Sequence, residues 1–94
     1  MMYNTKKLKC ACCGNYYDAV DYGKDRLFGL GEICPICFWQ YDIAGEEKET
    51  IVIGPNKVSL IEARENYIKI GAKEERLLPY VRKPRLDELP ENNE

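Results

Sequence analysis

The clearest helical pattern of apolar and polar positions lies in the second half of the chain. Within 60–70, apolar residues recur every three to four positions, which is typical of an amphipathic α-helix. Ser59 and Glu62 have the spacing of a capping box, and Gly71 favours a helix end. The pattern therefore predicts a helix over about 60–70. Its expected apolar stripe comprises Leu60, Ile61, Ala63, Tyr67, Ile68 and Ile70.

Three shorter segments favour β-strands. Residues 16–20 and 50–53 are rich in aromatic or β-branched residues, which are enriched in strands. The segment 27–33 contains two glycines that mark a bend, and it is expected to be a return strand. A second short helix is expected over 73–78, ending before Pro79 because a proline disfavours helical backbone at the preceding residue.

The length and composition of the chain indicate one small domain over 1–94. A 94-residue chain with 45% hydrophobic and 32% charged residues is expected to fold with a well-solvated surface. The ordered core is expected to cover about 8–84, with a polar tail at 85–94. A core of this size commonly needs a cross-link or a metal to hold it together.

The sequence also bears on location and on partners. The N-terminal segment lacks the apolar stretch of a signal peptide, and no apolar run approaches the roughly 18 residues that cross a bilayer. We therefore expect a cytoplasmic protein with no membrane partner. The formal net charge of −2 gives no electrostatic reason to expect binding to nucleic acid.

Two CxxC pairs, Cys10/Cys13 and Cys34/Cys37, are the strongest chemical motif. The turns at 10–14 and 34–38 are called the first and second knuckle below. Each CxxC turn can place two sulfurs on one side, and four thiolates suit tetrahedral Zn²⁺. The chain has no histidine, so the predicted site is an all-cysteine, closed and structural one. Iron can take the same ligands.

Other interpretations of the cysteines stay open at this point. A CxxC pair can be a redox dithiol, although that function is typical of a βαβ frame that this sequence does not show. The cysteines can also be unconnected buried thiols. Cys12 is the fifth cysteine: it can replace Cys10 or Cys13 as a ligand, although the adjacent Cys12 and Cys13 cannot form a CxxC turn together. Otherwise it is a small packed thiol or an accessible thiol activated beside the metal.

Three ordered motifs resemble those of the cysteine-rich CPCC family, a group of small bacterial and phage proteins. They are 10–14 (Cys-Ala-Cys-Cys-Gly), 32–39 (Glu-Ile-Cys-Pro-Ile-Cys-Phe-Trp) and 54–67, which begins Gly-Pro-Asn-Lys-Val-Ser-Leu-Ile-Glu. The resemblance covers about 8–84. It implies a zinc-ribbon-like or rubredoxin-like metal-binding module, and for some relatives it implies a link to toxin–immunity genes.

Two residues depart from the pattern that the resemblance implies. Ala11 stands where the family name has a proline, which makes the first knuckle less rigid. Phe38 stands where glycine is common in such knuckles. If that position requires a positive φ, a residue with a side chain costs about 1–2 kcal/mol there.

Two further expectations concern side chains near the knuckles. Arg64 lies within the apolar stripe of the predicted helix, and we expect it to clamp the helix to the cysteine region by pairing with an acidic group such as Asp42. The alternative is that its stem only covers apolar surface. Phe38 and Trp39 are either core residues or an exposed contact surface beside the metal.

These observations predict a small α+β domain. It combines a zinc-ribbon or rubredoxin-like pair of four-cysteine knuckles with short antiparallel strands, one main helix and an extended C-terminal arm. The sequence shows no catalytic constellation, so we expect a protein–protein interaction module rather than an enzyme. The alternatives are a zinc-ribbon nucleic-acid adaptor and a thiol redox or metal sensor that uses Cys12.

Overall fold

The computed structural model describes residues 4–21 and 28–94, which form a small α+β fold. Strands β1 (Asn4–Lys9) and β2 (Tyr16–Asp21) come first, followed by helices α1 (Ile43–Glu47) and α2 (Leu60–Ile70). Short 3-10 helices cover Gly54–Asn56, Glu75–Tyr80, Leu86–Glu88 and Pro90–Asn92. Within this part of the chain, no helix is long and apolar enough to cross a membrane.

Strands β1 and β2 form an antiparallel hairpin that runs from the pair Asn4/Asp21 to the pair Lys9/Tyr16. Tyr17 and Ala19 of β2 point into the core while Asp18 between them is exposed, the alternation expected of a half-buried strand. The sequence predicts β2. It does not predict β1, because the polar segment NTKKLK shows no apolar alternation.

The two other predicted strands are wrong. Residues 28–31 form a turn, and Ile33 makes an isolated antiparallel bridge to Gln40; Leu27 lies outside the described residues. Residues 50–53 follow α1 as a turn and an extended segment, with the Ile51 N–H donating to the Lys48 carbonyl at 3.1 Å. β-branched residues favour a strand only where neighbouring strands and side chains are present to pair with it.

The predicted helix over 60–70 is confirmed, and so are the residues predicted to begin and end it. The Ser59 hydroxyl accepts a hydrogen bond from the Glu62 N–H at 3.1 Å. Gly71 ends the helix at a φ of 87°, and its N–H donates to the Tyr67 carbonyl. Positive φ is readily reached by glycine, and this explains why the helix ends there.

The buried stripe of α2 is narrower than the sequence predicts. Leu60 and Ala63 are fully buried and Tyr67 is half-buried. Ile61 and Ile70 are exposed, and Ile68 is 83% exposed. The helix therefore packs through one edge of its apolar surface and presents several isoleucines to solvent.

The second predicted helix is a 3-10 helix over Glu75–Tyr80 that runs past Pro79. The expectation that this helix ends before Pro79 is wrong, because the segment is a 3-10 helix and not an α-helix. A proline has no N–H to donate, but its fixed φ suits a short 3-10 segment. The Val81 N–H then closes the segment by donating to the Leu78 carbonyl.

Residues 85–94, expected from the sequence to be a polar tail, form two 3-10 turns that contact the hairpin. The Lys9 ammonium pairs with the Glu94 carboxylate at 2.6 Å, and the Tyr16 hydroxyl donates to the same carboxylate at 2.8 Å. The Lys7 ammonium pairs with Asp87 at 2.7 Å. The chain end is thus tied to β1 and β2 by charged side chains.

Glu88 anchors the C-terminal arm, defined here as residues 81–94, to the second knuckle through Arg82. Its side chain is fully buried and accepts hydrogen bonds from both terminal nitrogens of Arg82, at 2.7 and 2.8 Å, and from the Arg85 N–H at 2.8 Å. The Arg82 guanidinium lowers the pKa of the Glu88 carboxyl. The Arg82 N–H in turn donates to the Pro35 carbonyl of the second knuckle at 3.2 Å.

The core lies between the hairpin, the second knuckle and α2. Cysteine sulfurs supply much of its interior, so the knuckles are part of the core. Its buried members are Cys10, Cys12, Tyr17, Ala19, Cys34, Ile36, Cys37, Trp39, Val58, Leu60 and Ala63.

Replacing Glu88 with glutamine is expected to lower the free energy of unfolding at pH 7 by about 1.5–3 kcal/mol, the usual range for a hydrogen bond to a charged group. Because the folded state lowers the Glu88 pKa, this contribution is present above the unfolded value of 4.5 and is lost as the pH falls through the folded value.

The measurement is urea unfolding of the natural chain and of Glu88→Gln at pH 7 and at pH 4. The difference between the two proteins should narrow at the lower pH. Glu91→Gln, at an exposed position of the same arm, is the matched control. Equal stability of the Glu88 and Glu91 variants at pH 7 would contradict the anchoring role.

Candidate metal centre

The first knuckle forms the turn of the β1–β2 hairpin. The Cys10 N–H donates to the Asn15 carbonyl and the Gly14 N–H donates back to the Cys10 carbonyl, both at 2.9 Å. Gly14 has a φ of 78°, in the left-handed region that favours glycine. The β1–β2 hairpin therefore carries the first knuckle at its tip.

The second knuckle repeats the same hydrogen-bond pattern. The Cys34 N–H donates to the Trp39 carbonyl and the Phe38 N–H donates to the Cys34 carbonyl, both at 2.9 Å. Phe38 occupies the position of Gly14, with a φ of 75°. The knuckle thus requires a positive φ here, and Phe38 places about 1–2 kcal/mol of backbone strain in it.

The two knuckles bring the four predicted cysteines together. The sulfurs of Cys10, Cys13, Cys34 and Cys37 all lie within 4.8 Å of one another. The Cys10 and Cys37 sulfurs are 3.5 Å apart, and the Cys13 and Cys34 sulfurs are 3.7 Å apart. In a tetrahedral Zn²⁺ site with Zn–S bonds of about 2.3 Å, the ligand sulfurs are about 3.8 Å apart.

The donor set therefore fits a tetrahedral metal ion. Four cysteine thiolates would hold the ion, which would supply a cross-link between the two knuckles rather than a reactive position. Iron accepts the same four ligands, so the geometry identifies a metal-binding site without choosing the metal.

Backbone N–H groups support the sulfurs of the second knuckle. The Ile36 N–H points at the Cys34 sulfur at 3.4 Å and the Trp39 N–H at the Cys37 sulfur at 3.5 Å. Cys34 and Cys37 are fully buried and Cys13 is the most exposed of the four. Such donors spread the negative charge that thiolate ligands carry, which favours metal binding in a buried place.

Crowding of the sulfurs separates their pKa values. The Cys10, Cys34 and Cys37 thiols lower the pKa of Cys13 by hydrogen bonding to its thiolate. The hydrogen bond with Cys13 raises the pKa of Cys10, and the hydrogen bond with Cys10 raises the pKa of Cys37. Binding of a metal ion to all four thiolates would release the protons that the thiols hold.

Cys12 lies outside the set of four sulfurs. It is 7% exposed and belongs to the buried core. The structure thus supports the packed-thiol interpretation and not that of an accessible thiol.

Trp39 is a core residue, so the alternative of an exposed Phe38–Trp39 surface is wrong. Trp39 is 2% exposed, and its indole N–H donates to the Glu46 carboxylate of α1 at 3.0 Å. Phe38 is half-buried, with its ring centroid 6.2 Å from that of Tyr80. The sequence gives little sign of α1, a five-residue helix capped by the Asp42 side chain.

Arg64 clamps α2 to the first knuckle, but its partners differ from the prediction. Its Nε donates to the Ala11 carbonyl at 2.9 Å, and its terminal nitrogen pairs with Glu49 at 3.2 Å. Asp42, the expected partner, instead accepts from the Gly45 N–H as the cap of α1. The contact to the knuckle is therefore made through a backbone carbonyl, which sequence patterns do not reveal.

Lys73 and Asn56 are buried polar residues beside the second knuckle that sequence reasoning missed. The Lys73 ammonium donates to the Asn56 side-chain oxygen at 2.9 Å, and the Lys73 N–H donates to the Cys37 carbonyl at 2.8 Å. Asn56 also exchanges two hydrogen bonds with the Gln40 backbone, at 2.8 and 2.9 Å. Asparagine after Gly-Pro indicates only a turn.

Comparison with known protein families gives one match. A family model described as Cysteine-rich CPCC matches residues 8–88. The chain is a member of this family. The match includes both knuckles and α2, and it continues as far as Glu88 of the C-terminal arm. No match was found among curated proteins or among solved structures.

Replacing Arg64 with lysine is expected to reduce stability by about 1.5 kcal/mol, because lysine cannot reproduce the Nε–H bond to Ala11 while it pairs with Glu49. The measurement is the melting temperature of the metal-loaded protein. Arg76→Lys is the control, because Arg76 is exposed and pairs only with Glu74 among the described contacts. An unchanged melting temperature for Arg64→Lys would contradict the clamp.

Proposed function

We propose that this member of the CPCC family is a zinc protein whose four-cysteine site is structural and supports a surface that binds another protein. The four sulfurs at near-tetrahedral spacing inside the core carry this proposal. Cysteine takes all four positions around the ion and leaves none for water or substrate, which favours a binding function over an enzymatic one.

Zinc is the metal that we propose, because all-cysteine tetrahedral sites are its common structural environment. Such a site stabilises the fold directly. Binding of structural zinc contributes on the order of 10 kcal/mol, which is comparable to the whole stability of a small domain.

Contacts from three parts of the chain support the structural role. The first knuckle closes the hairpin, Arg64 of α2 bonds to it, and the carbonyls of Pro35 and Cys37 accept from Arg82 and Lys73. Loss of the metal would release both knuckles from each other. The helix and the arm would then lose their common point of attachment.

A groove beside α2 supports the protein-binding part of the proposal. This groove, called the arm groove, has a volume of about 250 Å³ and is lined by Tyr67, Ile70, Gly71, Leu78, Val81, Arg82, Lys83 and Pro84. Ile70 and Leu78 are exposed there, and Tyr80 nearby in sequence is 68% exposed. Two cations line the groove, and Arg82 is already paired with Glu88. Apolar side chains beside the remaining cation, Lys83, favour a partner segment with an apolar residue next to an acidic one.

The zinc proposal is tested by native mass spectrometry of protein purified without added metal. We expect one zinc per chain in the natural protein and in Cys12→Ser, and loss of zinc in Cys37→Ser. Circular dichroism should show loss of the helix in Cys37→Ser only. Iron in place of zinc would contradict the choice of metal, and a folded metal-free protein would contradict the structural role.

The arm groove is tested by affinity capture with the natural chain, Leu78→Asp and Ile68→Asp as baits. Ile68 is a matched control because it is exposed on α2 and does not line the groove. We expect a partner protein that the natural and Ile68→Asp baits retain and the Leu78→Asp bait loses, with equal zinc content in all three. Salt-dependent binding of nucleic acid by all three baits would instead support an adaptor.

A further inference from the structure

Lys73 is a buried cation at the second knuckle. It is 4% exposed, although lysine is among the residues least often buried. Three contacts fix it: its N–H bonds to Cys37, its ammonium bonds to Asn56 at 2.9 Å, and the ammonium lies 5.8 Å from the centroid of the Phe38 ring. Both ends of the residue are therefore held against the knuckle.

Among the described residues, the groups that contact the ammonium carry no formal charge. Asn56 offers an amide oxygen and Phe38 an aromatic face. The carboxylate of Glu74, the next residue, pairs with Arg76 at 3.0 Å. Burying an ammonium is strongly unfavourable unless a negative charge lies near it, so this position calls for a source of negative charge.

The four-cysteine site can supply that charge. Four thiolates around a divalent ion carry 2 − 4 = −2, and around a trivalent ion 3 − 4 = −1. The Lys73 N–H bonds to the Cys37 carbonyl at 2.8 Å, and its ammonium lies 5.8 Å from the ring centroid of Phe38, the residue after Cys37. The cation is therefore held beside the knuckle whose sulfurs would carry this charge.

We propose that Lys73 is the counter-cation of the four-cysteine centre, and that its charge favours a divalent metal over a trivalent one. This inference rests on the metal-binding part of the proposed function. Lys73 would then act by placing a positive charge beside the site, and it would not bind the metal itself. It also adds a reason for a divalent ion such as Zn²⁺ to occupy the site.

Iron substitution measures this preference directly, because one electron converts the monoanionic Fe³⁺ centre into the dianionic Fe²⁺ centre. Lys73→Met should disfavour reduction about tenfold, which corresponds to a reduction potential lower by about 59 mV for one electron. Lys73→Arg, which keeps the charge, should retain the natural potential. A purely structural role would affect both oxidation states alike and would not move the potential.

Lys69→Met is the matched control, because Lys69 is an exposed cation in the last turn of α2. A Lys73→Met potential equal to that of Lys69→Met would overturn the inference. So would a charge-retaining Lys73→Arg that shifts as far as Lys73→Met. If Lys73→Met does not fold, Lys73→Gln replaces it. If neither neutral variant folds while Lys73→Arg binds metal normally, the result supports a requirement for a positive charge at this position.

Zinc affinity, measured by competition with a chelator, gives the same comparison if the natural chain does not take iron. Affinity should fall about tenfold in Lys73→Met and stay unchanged in Lys73→Arg and Lys69→Met. Equal affinities would overturn the inference. The metal-binding part of the proposed function fails separately, because its failure requires that the natural chain bind no metal.

Discussion

Four cysteine sulfurs lie within 4.8 Å of one another, and the rest of the structure depends on this cluster. Thiolates at such distances repel each other strongly unless a cation lies between them. The backbone brings them together through two turns with matching hydrogen bonds. Around these turns, α2, the segment that follows it and the arm each contribute one contact to a knuckle carbonyl. The fold is therefore organised around a cluster of sulfurs inside its buried core.

The features that sequence predicts well are those determined by neighbouring residues. The CxxC turns, the strand at 16–20 and the α2 helix with Ser59 and Gly71 at its ends are all of this kind. The hydrogen bonds of the turns and of the helix close within a few residues, and the strand at 16–20 shows its character in its own aromatic and β-branched residues, so composition and spacing reveal all three. The positive φ of Phe38 belongs here too, because the geometry of a knuckle turn is repeated wherever the turn occurs.

The features that sequence does not predict depend on distant partners. β1 is a strand because it pairs with β2, and its own residues are polar. Trp39 can be buried because Glu46 of α1 receives its N–H. The arm is ordered by Lys9 and other charges almost a full chain length away from it. Charged residues that look like solvated surface in sequence thus become the attachments of the chain end.

The position of the ligands along the chain has a consequence for the order of assembly. The four cysteines of the site all lie at or before position 37, whereas α2, Lys73 and Arg82 follow them. A chain leaving the ribosome therefore exposes all four cysteines before the elements that cover them have emerged. A metal ion would meet the cysteines while they are still open to solvent, and the helix and arm that enclose them would follow. The direction of translation would thereby separate metal loading from enclosure in time.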